Sequence, residues 1–468
     1  GSRMIVVLND NDMSINPNVG AMSNYLVRIR TSPKYGQRKQ EIEQLLKSVP
    51  HVGPYISRTI DRVKDSLKYL MMPGMIFEEL GFIYLGPVYG HDIEGMINLL
   101  NRAKMMDKPV MLHVITKKGK GYLPAQNNPD VFHGTGPFDI GTGLPKKQPP
   151  PLTYSEVFGD MLCHLAEKND KIVAITAAMA DGTGLQRFFN QYPRRAFDVG
   201  IAEGHAVTFA AGLAAAGLQP VVAVYSTFLQ RAYDEILHDV CLQNLPVVLA
   251  IDRAGLVGDD GATHHGLFDI SFLSSMPNMI IMAPKDENEL QDMLKSVFLY
   301  NAPVAVRYPR GSSGLERLQT EASLLALGKG EILRSGDDLA IFACGSMVNN
   351  ALEIADRLQQ KMLSVSVVNA RFIAPLDEGL LLAEAQKCRR VLTLEEGIKK
   401  GGFGCACAEL LRQKAGANIE LEIGAMPDRF IQHGKRELLL DEAGLSVDKL
   451  TERVLRCWFP ALLDKDSD

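Results

Sequence analysis

Residues 197–217, FDVGIAEGHAVTFAAGLAAAG, constrain the fold more than any other stretch. A strand-like run leads into a carboxylate, Glu203, beside His205, and then into Ala210, Ala211, Gly212, Ala214, Ala215, Ala216 and Gly217. A segment this small and apolar all round reads as a buried helix whose neighbours approach closely. A carboxylate at its start meets apolar surroundings, where desolvation favours the neutral acid, a form able to give up a proton. A plain helix-start glutamate, favoured by the helix dipole, would look the same in isolation. The rest of the chain decides between the two.

At 468 residues the chain is too long for one core and is expected to form roughly two to four domains. Its 46% hydrophobic and 22% charged residues are ordinary for a globular protein. A net charge of −5 gives no reason to expect nucleic acid or an anionic membrane as partner. The seven cysteines are odd in number and lack framework spacing, which points to reduced thiols. Cys405-Ala-Cys407 has no second pair at ligand spacing, so both read as core thiols. No run of 18 or more apolar residues exists to span a membrane.

The run MIVVLND starts at Met4 and reads as a buried parallel-sheet strand. A core strand this early means that its partners are missing or supplied elsewhere. Gly1-Ser2-Arg3 is either a cloning scar or native sequence. The polar turn Asn9-Asp10-Asn11-Asp12-Met13-Ser14 follows at the strand's carboxyl end, where ligands sit in open parallel sheets. Its oxygens suit Mg²⁺, although Asn and Asp also make ordinary turns. Residues 24–69 are polar with helical periodicity. Residues 77–85 lead into a turn-rich loop, GPVYGHD (86–92), then a helix (93–106) and a strand (110–115).

The proline run KKQPPPL (146–152) marks a linker. A second α/β unit has expected strands at 172–175, 197–201, 221–224, 247–251, 279–283 and 304–307. A third has strands at 339–343, 364–369, 390–394 and 419–423 and no concentrated catalytic groups, so it reads as a packing or dimerisation domain. The fold class expected is α/β, three parallel-sheet domains, with boundaries 1–145, 146–320 and 321–468.

Loops after the strands of the second unit would cluster on one edge and carry the chemistry. Arg253 and Arg310 suit a phosphate, because guanidinium offers paired donors in a fixed fork; two structural ion pairs would look the same. Asp260, His264 and His265 lie in a Gly-rich loop and can move protons or hold hydroxyls. Tyr225 and Phe228 can stack on a flat ring. With the Asn11 turn and Glu203, the set suits a metal-diphosphate cofactor bridging two α/β domains.

The runs LNDNDMSI (8–15), NVGAMSNYL (18–26), LGPVYGHD (85–92), TKKGKGY (116–122) and FHG (132–134) go further. So do IAEGHAVTFAAGLA (201–214), YSTFLQRAYDEILHDV (225–240), IDRAGLVGDDGATHHGLFD (251–269) and RYPRG (307–311). Over essentially its whole length the chain resembles the 1-deoxy-D-xylulose-5-phosphate synthase family of the thiamine-diphosphate transketolase superfamily. The resemblance implies a transferase with thiamine diphosphate and Mg²⁺ as cofactors. It would join pyruvate and D-glyceraldehyde 3-phosphate into 1-deoxy-D-xylulose 5-phosphate with loss of CO₂, the entry step of a route to isoprenoids. Glu203 would hydrogen-bond the aminopyrimidine ring and Phe228 would pack on it. Asn11 and Met13 would ligate Mg²⁺, and Ile15 would support the bent cofactor. Arg253 and Arg310 would hold the acceptor phosphate, while Tyr225, Asp260, His264 and His133 would line the substrate pocket. A homodimer in a bacterial cytoplasm or plastid stroma is expected.

Three departures from the family pattern stand out. The GDG motif, whose Asp is the first Mg²⁺ ligand, should precede LNDND and is absent. The chain is therefore expected to be a fragment of an active enzyme, the missing N-terminal piece being a separate chain in one reading. An inactive scaffold fragment, or another thiamine-dependent transketolase, are the alternatives. Tyr89 stands where the pattern has Asp, and Gly204 where Gln is frequent, a change expected to be tolerated.

Overall fold

The computed structural model describes residues 3–11, 13, 75–129, 131–146, 152–415 and 418–463. The expected helical stretch 24–69, the run 18–26 and residues 147–151 of the linker lie outside them. The chain divides into two compact units, Gly1–Gln148 and Pro149–Asp468.

In the first unit, β1 (Ile5–Asp10), β2 (Ile83–Tyr89), α1 (Ile93–Lys104) and β3 (Val110–Ile115) form a parallel sheet of order β1-β3-β2. The crossover through α1 is what lets β2 and β3 run parallel. Asp92 caps α1, accepting the Gly95 N–H at 3.1 Å. Residues 86–89, expected as loop, instead continue β2. Gly86 (φ 130°) makes this possible, because an added Cβ there would come within 2.4 Å of the His113 carbonyl oxygen. The buried His113 bonds the Tyr84 hydroxyl through Nδ1 at 2.6 Å and Asp10 through Nε2 at 3.0 Å. The tautomer that satisfies both carries its proton on Nε2, donating to the carboxylate. This chain of contacts holds the end of β1 beside Asn11.

The second unit begins with α2 (Tyr154–Lys168), started by a capping box between Thr153 and Glu156. Next come β4 (Ile172–Thr176), β5 (Ala196–Asp198), α3 (Glu203–Ala215), β6 (Gln219–Tyr225), β7 (Val248–Asp252), β8 (Ile280–Met282) and β9 (Val304–Arg307). The remaining strands are β10 (Glu331–Arg334), β11 (Leu339–Ala343), β12 (Val365–Asn369), β13 (Phe372–Ala374), β14 (Arg390–Ile398) and β15 (Glu420–Met426), with α4 (Phe403–Lys414) after β14. They make a seven-stranded sheet, β13-β8-β9-β7-β6-β4-β5, and a five-stranded sheet, β10-β12-β11-β14-β15.

The interior strands are parallel, and β4, β7, β11 and β12 are buried throughout, as continuous apolar runs should be when both faces are covered. Two edge strands escaped the sequence reading. β10 and β13 are short and antiparallel to their neighbours. β13 leaves the C-terminal part of the chain to extend the seven-stranded sheet beside β8. One apolar cluster spans both sheets, joining Ile251, Ile281 and Ala305 to Phe342, Val368 and Phe403. All seven cysteines are free thiols, as expected.

The C-terminal part is not merely apolar. Glu395 on β14 is fully buried and accepts the N–H groups of Phe403 (2.9 Å) and Gly404 (2.8 Å) at the start of α4. Burial pushes its carboxyl up to about 7, the two N–H donors opposing the rise. The folded chain holds this proton more tightly than the unfolded one. The stability it contributes is complete below pH 4.5 and is lost as pH rises through about 7. Relative to Glu395→Gln, the unmodified chain should lose roughly 3 kcal/mol across that window. Thermal unfolding of both across the same pH range checks this, and parallel curves would remove Glu395 as the source.

Candidate active site

Because β9, β7 and β6 are adjacent and parallel, the loops after them emerge side by side at one edge of the sheet. They carry Arg310, the segment Arg253 to His264, and the turn Tyr225 to Phe228. β5 lies on the far side of β4, and the chain beyond it opens α3 with Glu203. The Asp198 carboxylate holds this connection by accepting the N–H groups of Ala178 (2.8 Å) and Gly200 (3.0 Å).

Glu203 is 3% exposed at the first position of α3. Buried Ala206, Ala210, Ala211 and Ala214 give that helix its close approach to the sheet. Its carboxylate accepts a hydrogen bond from Arg231 at 2.6 Å, and the same guanidinium lies 4.8 Å from the Phe228 ring centroid. Arg231 was missed by the sequence reading, which weighed desolvation and the helix dipole at Glu203. The signal was present: Arg231 lies three residues after Phe228 in the same run. Half exposed, it links the acid to the aromatic turn. His205 points elsewhere, stacking on Phe209 at 6.0 Å.

Phe228 also stacks against Tyr225 (5.8 Å) and meets the edge of His264 (5.4 Å). Ser226 Oγ, buried, has no hydrogen-bond partner among the described residues. Tyr225 packs under the Arg253 guanidinium, 3.7 Å from the ring centroid, and burial raises its phenol. Arg253 is held in the left-handed region (φ 59°), a cost of order 1–3 kcal/mol that surroundings must over-determine. They do so through the Gly182 carbonyl (2.7 Å), Asp252 (3.1 Å) and the Tyr225 stack. Gly182 is required there, since an added Cβ would lie 1.8 Å from the Tyr225 hydroxyl. Asp252 is itself buried, and burial raises its carboxyl against the pull of Arg253 and Ser155.

Arg310 donates to Asp260 at 2.6 Å, both side chains about half exposed. His264 Nδ1 lies 2.8 Å from Thr263 Oγ1. The structure therefore brings together Glu203, Tyr225, Phe228, Arg253, Asp260, His264 and Arg310 on one edge. In the first unit, Asn11 Oδ1 accepts the Met13 N–H at 3.1 Å, and His133 is an exposed residue of the turn Val131–His133. Ile15 lies outside the described residues. Among the described residues no cluster of three or more His, Cys, Asp or Glu could hold a metal. At Gly204 an added Cβ would lie 2.5 Å from Glu235 Oε1, the end of a flexible side chain that can give way. Tyr89 hydrogen-bonds Lys120 and packs its ring against His91 at 5.3 Å.

Three family models match the chain in series. 1-Deoxy-D-xylulose-5-phosphate synthase matches residues 1–116, the transketolase pyrimidine binding domain 150–314, and the transketolase C-terminal domain 328–450. The 1-deoxy-D-xylulose-5-phosphate synthase of Pelotomaculum thermopropionicum is 55% identical over 97% of this chain and 71% of its own length. That of Desulforudis audaxviator is 53% identical over 96% and 71%. Among solved structures, a split-gene transketolase described as an inactive β4 tetramer superposes with a TM-score of 0.59 at 29% identity. It covers 66% of this chain and 98% of its own. Transketolase from Campylobacter jejuni shares the fold, with a TM-score of 0.54 at 15% identity over 97% of this chain and 72% of its own. With more than half its sequence shared with such relatives, the chain belongs to the 1-deoxy-D-xylulose-5-phosphate synthase family.

Proposed function

We propose that the chain works in a thiamine-diphosphate-dependent transferase that joins pyruvate to D-glyceraldehyde 3-phosphate. The product is 1-deoxy-D-xylulose 5-phosphate; CO₂ leaves and one proton is taken up. The observation that carries this reading is the buried Glu203 carboxylate at the start of α3, linked through Arg231 to the Phe228 ring. A buried acid linked in this way to an aromatic face suits a flat, nitrogen-bearing ring. Asn11 and the Met13 carbonyl offer hard oxygens of the kind Mg²⁺ takes, as part of a larger ligand set. When bound, thiamine diphosphate supplies the carbon nucleophile and the electron sink that decarboxylation requires.

The chain's own groups then have separable tasks. Glu203 would hydrogen-bond the aminopyrimidine ring of the bound cofactor, and Phe228 would pack on that ring. Arg231, half exposed, bonds Glu203 and lies over Phe228, the two side chains that would meet the heterocycle. Arg253 and Arg310 bind the acceptor phosphate, with Asp260 neutralising Arg310 until that phosphate arrives. His264, its Nδ1 engaged by Thr263, moves a proton at Nε2 to or from the acceptor oxygen. Tyr225 orients Arg253. The bacterial relatives support a bacterial cytoplasmic setting over a plastid one, and a homodimer is the assembly we expect. Among the described residues no helix is long and apolar enough to cross a membrane.

Glu203→Ala should lower CO₂ release from pyruvate by about 10²- to 10⁴-fold. It should also weaken thiamine diphosphate binding in a fluorescence titration, while leaving the circular-dichroism spectrum unchanged. A transferase using ketose donors would not release CO₂ from pyruvate, so the same assay separates the two chemistries. Arg310→Ala should raise KM for D-glyceraldehyde 3-phosphate by about 10- to 100-fold, the worth of a charge-assisted contact, with KM for pyruvate unaffected. An unchanged KM for the aldehyde would take Arg310 out of the phosphate role.

A further inference from the structure

We infer that Glu396, on β14 in the C-terminal part of the chain, is a positioning residue for the acceptor site, because its carboxylate holds the loop that carries Arg253, Asp260 and His264. The inference rests on the proposed reading of that loop as acceptor-binding.

The loop is closed at its base by Gly255 and Gly266, which exchange both backbone hydrogen bonds at 2.7 Å. Between them Leu256, Val257 and Gly258 are buried, whereas Asp259, Asp260, Ala262 and Thr263 are exposed. Gly255, Gly258 and Gly261 all have positive φ (80°, 80° and 74°), so the segment has little stiffness of its own. Its conformation must be imposed from outside, and the buried floor shows where.

The Leu256 N–H donates to Glu396 Oε1 at 2.8 Å. The carboxylate lies so close beneath the turn that an added Cβ at Gly255 would be 2.6 Å from Glu396 Cδ. Its remaining acceptor positions are filled by Ser346 Oγ–H (2.6 Å), by Arg436 Nε–H (3.1 Å) and by a second Arg436 donor. A carboxylate accepts about four such bonds, so this one is saturated and its orientation is set. The main chain of Glu396 serves the other end of the loop: Arg307 Nη2 lies 3.3 Å from the Glu396 carbonyl and 3.5 Å from that of Gly266. His265 adds a second clamp. Its Nδ1 accepts the Val257 N–H at 3.1 Å, and its Nε2–H donates to the Gln432 carbonyl at 3.0 Å. The Gly434 N–H reaches the Gly258 carbonyl at 3.3 Å. Two residues that touch none of the proposed substrate groups thus decide where the exposed tip points.

The test is amide hydrogen exchange, read by mass spectrometry on the ligand-free chain, for Glu396→Gln against the unmodified protein. Exchange in the peptide 254–266 should quicken by about tenfold or more, as loss of a charge-assisted contact predicts, with α2 and β4 unchanged. In steady-state assays KM for D-glyceraldehyde 3-phosphate should rise by about tenfold while KM for pyruvate stays within about twofold. His265→Asn, which cuts the other clamp, should reproduce both effects, and it decides the matter if Glu396→Gln does not fold. Unchanged exchange in 254–266 in a folded variant, or an equal rise in both KM values, overturns the inference. Faster exchange together with no response of the unmodified loop peptide to D-glyceraldehyde 3-phosphate would instead sink the acceptor reading and leave the clamp standing.

Discussion

The parallel pairing of β6, β7 and β9 is the constraint on which everything else depends. Parallel strands share one carboxyl edge, so each loop that leaves them emerges beside the next. Neighbouring order converts residues separated by scores of positions in the chain into a single row: the aromatic turn, the arginine with its left-handed backbone, and the Arg310–Asp260 pair. Those strands are buried on both faces, so their continuous apolar runs keep them in the interior of the sheet.

That edge would be mobile without a second set of forces. The strands position where the loops start, but a loop with three positive-φ glycines is not determined by its ends alone. The C-terminal part supplies what is missing through buried, saturated polar groups. Burial pushes the Glu396 carboxyl up, but Arg436, Ser346 and the Leu256 N–H together outweigh it and hold the group below its ordinary range. Its neighbour Glu395 has no cation at contact distance among the described residues and is pushed up by burial instead. Two adjacent glutamates on one strand are therefore shifted in opposite directions, and the difference lies in their partners. A buried ion pair contributes little net stability compared with an apolar replacement. What it contributes here is a defined position for the chain it touches.

Much of this arrangement was legible in the residues. The continuous apolar runs of β4, β7, β9 and β11 mark strands buried on both faces. The small-residue run after Glu203 marks a helix lying close to a sheet. Short edge strands were not legible, because three- and four-residue elements such as Phe372–Ala374 carry no periodicity. Nor was the continuation of β2 through Gly86 and Pro87, where turn-forming residues sit inside a strand because a backbone neighbour leaves no room for a side chain. In the site, the acid, the aromatics and the arginines could be named from residue type and position after strands. Gly182 and the saturated Glu396 could not, since their roles are defined by partners 43 and 140 positions away.

The sequence by itself determined the strand and helix pattern, the family and the chemical inventory of the site. The pattern follows from local periodicity, the inventory from the identity of side chains, and the family from the resemblance of whole motif runs. Only the tertiary structure decided which charges are paired, which loop is held, and by what. Those outcomes depend on distances between segments far apart in the chain, and Coulombic and hydrogen-bonding energies are lost within a few ångströms of contact. The C-terminal part looked in sequence like a packing domain without chemistry. In the folded chain its buried glutamate reaches the floor of the loop on which the proposed acceptor chemistry depends.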